Sequence, residues 1–128
     1  METKGRILLM DDEESILHVT GKMLKLLGYE VSCARHGAEA VELYAAAMAK
    51  GEPYDLIIMD LTIRGGLGGK ATINALRQIN PRVKAIVSSG YSHDPIMADH
   101  RKHGFCGILA KPYRLEDLSE VLGKIMGE

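Results

Sequence analysis

Apolar residues fall along the chain in two alternating patterns. Short, nearly continuous runs, rich in β-branched side chains, recur at Arg6 to Met10, Glu30 to Ala34, Tyr54 to Asp60, Val83 to Ser88 and Phe105 to Ala110. Runs of that length and kind predict strands buried on both faces. Between them the spacing becomes helical: Ile16, Val19, Met23 and Leu26 stand at i, i+3, i+7 and i+10, and Leu115, Leu118, Leu122 and Ile125 repeat the pattern near the C-terminus. Gly28 after Leu27 supplies a left-handed stop for the first helix, and Glu52-Pro53 marks a break before the third strand. Five strands thus alternate with five helices, which predicts an α/β fold three layers deep with a parallel sheet and right-handed crossovers. Ligands of such sheets bind beyond the carboxyl ends of the strands, where strand order reverses.

Composition narrows the function classes. A chain of 128 residues suits one domain, and 46% hydrophobic with 26% charged residues excludes disorder from low hydrophobicity. Lys plus Arg number 16 against 17 Asp plus Glu, so a net charge of −1 offers no global basic field for nucleic acid. No apolar run approaches the ~20 residues that cross a bilayer. The start METKGRILLMDDEE lacks the longer apolar region of a signal peptide, so a cytoplasmic location is the expectation. No repeat or linker appears, GGLGG at 65–69 being a local glycine cluster, and residues 1–128 read as a single domain. Cys33 and Cys106 have no partners at zinc-finger spacing and read as buried, reduced small hydrophobes. His100 and His103, i and i+3 on a predicted helix, lack a third metal ligand and read as a solvated face. Met23, Met48, Met59, Met97 and Met126 read as core filling.

The chemistry stands at the predicted strand ends. The first strand runs into Asp11, Asp12, Glu13 and Glu14, the third ends on Asp60, the fourth reaches Ser89, and the fifth is followed by Lys111 and Pro112. Carboxylates crowded on one rim repel one another and call for a cation, and a few hard oxygen ligands suit Mg²⁺. Lys111 is placed to pair with Asp60 at rest and with a phosphoryl oxygen when one arrives, and Ser89 offers a donor to the same oxygen. An Asp60 oxygen so flanked can attack phosphorus in line, giving an aspartyl phosphate. Asp11, Asp12, Glu13 and Glu14 also suit the start of a helix, where acids favour the dipole.

These residues, in this order and over essentially the whole chain, resemble the receiver domain of two-component response regulators, and the run SSGYSHDPIMADHRKHGFCGILAKPY resembles receivers attached to hybrid sensor histidine kinases. The resemblance implies a flavodoxin-like (βα)5 fold with sheet order 2-1-3-4-5. It implies Asp60 as phosphoacceptor, Asp11 and Asp12 as the acidic pair, Ser89 as the switch hydroxyl, preferred over Ser88, and a cis bond between Lys111 and Pro112. Its Mg²⁺ ligands would be Asp12, Asp60 and the backbone carbonyl of Thr62, with Asp11 acting through water. Thr62 and Tyr91 would flank the phosphoryl group and tune its hydrolysis. Such a domain catalyses its own phosphorylation and dephosphorylation yet serves mainly as a switch. The donor would be a sensor histidine kinase or a histidine phosphotransfer domain, and a downstream protein would read the face built from the fourth helix, fifth strand and fifth helix. Direct contact with nucleic acid or membrane is not expected.

Two departures stand out. Arg64 occupies the place where the family usually carries proline, four residues after its acceptor, which frees the loop and adds a cation. Ile108 stands where many members have an inward-swinging aromatic, so a switch is expected to stop at Ser89 and its loop. Other phosphate chemistries fit less well: Thr62 replaces the second acid of haloacid dehalogenase phosphatases, DDEE would repel a flavin phosphate, and GGLGGKA lacks the first glycine and the hydroxyl of a Walker A loop. A phosphorylation-independent pseudo-receiver, acting as a protein-binding module, remains the alternative.

Overall fold

The computed structural model describes residues 4–61, 69–90 and 99–126. Five strands, β1 (Arg6–Met10), β2 (Glu30–Ala34), β3 (Leu56–Asp60), β4 (Ala85–Ser89) and β5 (Gly107–Ala110), form one parallel sheet in the order β2-β1-β3-β4-β5. Helices α1 (Glu14–Leu26), α2 (Gly37–Ala49), α3 (Gly69–Ile79) and α4 (Leu115–Met126) connect or follow them. The alternation predicts one more helix, between β4 and β5. There residues 91–98 lie outside the described residues, and His100–His103 form a 3-10 helix.

Strand alternation divides the core in two. Leu8, Met10, Ile57, Met59, Ala85 and Val87 point to the face covered by α2 and α3, where Tyr44, Ile73, Leu76 and Phe105 complete one cluster. Ile7, Leu9, Leu56, Ile58, Ile86 and Leu109 face α1 and α4, packing on Leu17, Leu24, Leu118 and Leu122. Every residue of β3 and β4 is buried, as an interior strand covered on both faces requires. α4 lies close on β5, for a Cβ at Gly107 would stand 2.8 Å from Ile125 Cδ1. Gly28 ends the first helix at φ 101°, a left-handed turn that glycine adopts at no steric cost. At the amino ends of the strands, Arg6 lies 5.0 Å over the ring of Tyr54, which stacks on Tyr44 with centroids 6.3 Å apart. No helix among the described residues is long and apolar enough to cross a membrane.

Several expectations need correction. The face of α1 that packs inward carries Leu17, Thr20, Gly21 and Leu24, not the predicted stripe. Val19 is 52% and Leu26 78% exposed, while Ile16 and Met23 are half-buried at the margin. Thr20 and Gly21 lie on this inner face between Leu17 and Leu24, although hydropathy does not mark them as core. Cys33 is exposed because β2 is a sheet edge, and its thiol looks into a groove against α1. Cys106 is half-buried, its thiol donating to the Ala85 carbonyl at 3.3 Å. Met59 is fully buried, Met23 and Met126 pack at the margin of the core, Met48 is exposed on α2, and Met97 lies outside the described residues.

The two faces of α1 make a direct test. Leu24→Ala should cost about 2–5 kcal/mol by emptying a filled core site, whereas Leu26→Ala should stay within about 0.5 kcal/mol, both read from urea unfolding midpoints. Equal losses would mean that α1 is rotated from the orientation described.

Candidate functional site

Parallel pairing puts the carboxyl ends of all five strands on one rim. β1 and β3 pair with Met10 opposite Met59, so the next residues of each, Asp11 and Asp60, emerge side by side from strands 49 residues apart in sequence. Asp11 is buried, with its N–H and both carboxylate oxygens engaged. Its N–H donates to the Ala34 carbonyl at 3.0 Å, Oδ1 accepts the Glu13 N–H at 3.0 Å, and Oδ2 accepts from Lys111 Nζ at 2.7 Å. Asp12 follows into solvent, while Asp60 is buried. Each of the three carboxylates offers an oxygen within 4.8 Å of the others, a donor set able to hold a hard cation. Glu13 stands at the N-cap position of α1 without a side-chain capping bond, and Glu14 opens the helix and forms an ion pair with Arg35.

Lys111 reaches the same rim from the end of β5. Its backbone N–H donates to the Ser89 carbonyl at 2.9 Å, and the Lys111–Pro112 peptide bond is cis. The amine lies 3.4 Å from Asp60 Oδ1, but its shorter contact is with Asp11, a refinement of the expected Asp60 pairing. Asp11 makes the closer partner because its other oxygen is already fixed by the Glu13 amide. Burial alone would lower the Lys111 pKa; the Asp11 hydrogen bond and the charges of Asp60 and Asp11 outweigh it, and the net shift is upward.

The structure places the remaining expected residues unevenly. Ser88 is the register partner of Asp60, and Ser89 lies one step further along β4, opposite Ala110; both are buried. Ile108 sits on the outer strand β5 and is 38% exposed. Thr62, Arg64 and Tyr91 lie outside the described residues. Two side chains not singled out from the pattern also belong to this region: Tyr113 Oη and Thr20 Oγ1 are hydrogen-bonded at 2.9 Å. Their only cue in the sequence is a tyrosine two positions beyond Lys111. Beside the rim, Ile16, Val19 and Met23 of α1 line an apolar groove of about 490 Å³ with Pro112 and Tyr113, and Gly90 and Lys111 border it.

With this geometry in place, similarity to known proteins decides the family. A family model described as "Response regulator receiver domain" matches residues 7–123. This chain belongs to that receiver family. It is a signal-transduction domain of the two-component type, and its sheet order and layers are those of the flavodoxin-like receiver fold. It is 26% identical over 121 residues to the transcription factor SKN7 of Candida albicans, covering 94% of this chain and 21% of SKN7. It is 27% identical over 120 residues to the sensor kinase CckA of Brucella abortus, covering 94% of this chain and 12% of CckA. The receiver thus spans about a fifth or less of these relatives. The receiver domain of the sensor histidine kinase PA1611 of Pseudomonas aeruginosa PAO1, which has a magnesium ion coordinated in its active-site cleft, is 26% identical. It covers 97% of this chain and 98% of that one, at a TM-score of 0.84.

Among the described residues, four side chains hold their protons more tightly in the fold than their ordinary values imply. Burial pushes up both cysteine thiols, from 9.0, and the Tyr113 phenol, from 10.0, and the carboxylates raise Lys111 from 10.5. A group with a raised folded pKa leaves the native state richer in protons than the unfolded chain, so stability falls as pH rises through that range. The urea midpoint should hold steady up to about pH 8 and fall between about pH 9 and 11. A midpoint constant to the top of that range would contradict the raised proton affinity of these groups.

Proposed function

We propose that the chain is a phosphoacceptor receiver, taking a phosphoryl group from a phosphohistidine onto Asp60. The observation that carries this reading is the convergence of Asp11, Asp12 and Asp60 within 4.8 Å of one another, with the Lys111 ammonium against two of them. Asp12, Asp60 and the Thr62 carbonyl would hold Mg²⁺, with Asp11 acting through water. Bound there, Mg²⁺ supplies positive charge that relieves the carboxylates and neutralises the phosphoryl oxygens. An Asp60 oxygen attacks phosphorus as the P–N bond to the donor imidazole breaks, and the imidazole nitrogen leaves with the bonding pair. Lys111 turns its ammonium toward the new phosphate, whose added charge of about −1.5 to −2 also draws the Ser89 hydroxyl. Water later hydrolyses the acyl phosphate, with Thr62 and Tyr91 tuning that step.

Partners follow from the surfaces around the rim. A kinase or phosphotransfer domain brings its histidine on a helix, and the apolar groove of Ile16, Val19 and Met23, continuous with Lys111, suits a helix that must also reach Asp60. A downstream protein reads the face built from the segment between β4 and β5, β5 itself and α4. Movement there starts from Ser89 and its loop, since an isoleucine has no hydroxyl-bearing ring to swing inward.

The chemistry is tested with acetyl phosphate and Mg²⁺ on a phosphate-affinity gel. The wild type should give a shifted band labile to acid and base, absent from Asp60→Asn and after chelation of Mg²⁺. No band with acetyl phosphate or with a histidine phosphodonor would overturn the reading in favour of a phosphorylation-independent binding module. Mg²⁺ at about ten times its Kd should add about 1.4 kcal/mol of stability, a gain that Asp12→Ala should largely remove.

A further inference from the structure

Thr20 sits mid-way along α1, on the inward face beside Leu17, Gly21 and Leu24, and is buried. A hydroxyl in that position needs a partner. A helical threonine commonly turns back to the carbonyl four residues earlier. Here it meets the Tyr113 phenol, 93 residues away in sequence, at 2.9 Å. A phenylalanine at position 113 would bury the same ring without requiring a partner, so the phenol adds direction rather than apolar area. Tyr113 stands two residues beyond Lys111 in the turn between β5 and α4, and the turn is held at its other end where Lys111 N–H donates to the Ser89 carbonyl. The Lys111 side chain issues from between these two anchors, its amine 2.7 Å from Asp11 and 3.4 Å from Asp60.

We propose that the Thr20–Tyr113 hydroxyl pair is a positioning element that fixes the Lys111 turn against α1 and so aims the amine between Asp11 and Asp60. Neither hydroxyl touches the reacting atoms. The pair acts through Lys111, and its effect on phosphoryl chemistry rests on the function proposed above.

Thr20→Val and Tyr113→Phe each remove one hydroxyl at nearly constant volume, and Thr20→Ser restores it. Two readouts separate aim from stability: the ¹⁵N resonance of the Lys111 amine in the free protein, and Kd for Mg²⁺ alone against Kd for beryllofluoride with Mg²⁺. Each single variant should shift or broaden the lysine resonance and weaken beryllofluoride about fivefold, equivalent to about 1 kcal/mol, while Mg²⁺ alone stays within about twofold. The double variant should be no worse than either single, as for two halves of one interaction, and Thr20→Ser should behave as wild type. An unmoved lysine resonance, additive losses, or equal weakening of Mg²⁺ would overturn the proposal. If wild type itself binds no beryllofluoride, the phosphoacceptor reading falls, and the lysine resonance still decides whether the pair positions the amine.

Discussion

One half-buried ammonium shared by two carboxylates sets the terms for the rest of the rim. Asp11 and Asp60 leave water together, and two like charges about 4 Å apart repel by about 4 kcal/mol at an effective dielectric near 20. Lys111 offsets that repulsion by touching both. With Asp12 included, three negative groups and one positive group leave a formal charge of −2, the complement of a single dication. The rim is therefore neither saturated by its own lysine nor so charged that the strands would be forced apart.

The fold supplies the rigidity this arrangement needs. β1 and β3 are interior strands, their register brings Asp11 and Asp60 together, and the fully buried β4 separates Asp60 from the strand that carries Lys111. Each carboxylate thus begins from backbone pinned by sheet pairing on both sides, which suits groups whose spacing must hold to within an ångström. The variable parts are side chains at the margin: exposed Asp12, the Lys111 stem, and the groove wall formed by α1.

Much of this was legible in the chain because apolar run length and strand-end chemistry are local signals. β1 and β2 begin and end where the runs do. β3, β4 and β5 start two residues later than the runs, because Tyr54 and Phe105 are buried ahead of their strands and Val83 packs at the core margin there without joining the ladder. α1 was misjudged for a physical reason. It carries two apolar stripes, and the inward one is interrupted by Thr20 and Gly21, which hydropathy does not mark as core. The cysteines were misplaced because edge position depends on strand order, which no local pattern encodes. His36 could have been found: its ring nitrogen accepts the Glu39 N–H while Glu39 reaches back to the Arg35 N–H, the reciprocal spacing of a helix cap. The hydroxyl pair linking residues 20 and 113 left no comparable mark, since it exists only once α1 and the end of β5 are packed together.

The chain contains no tryptophan, so its near-ultraviolet absorption comes from five phenols. Tyr44 and Tyr54 are stacked at the far end of the sheet, remote from the acidic rim, whereas Tyr113 lies within the electrostatic reach of Lys111, Asp11 and Asp60. A change of charge among those three groups perturbs the Tyr113 chromophore and leaves the stacked pair untouched. The protein accordingly carries its own optical gauge of cleft occupancy, readable by difference spectroscopy without any attached dye.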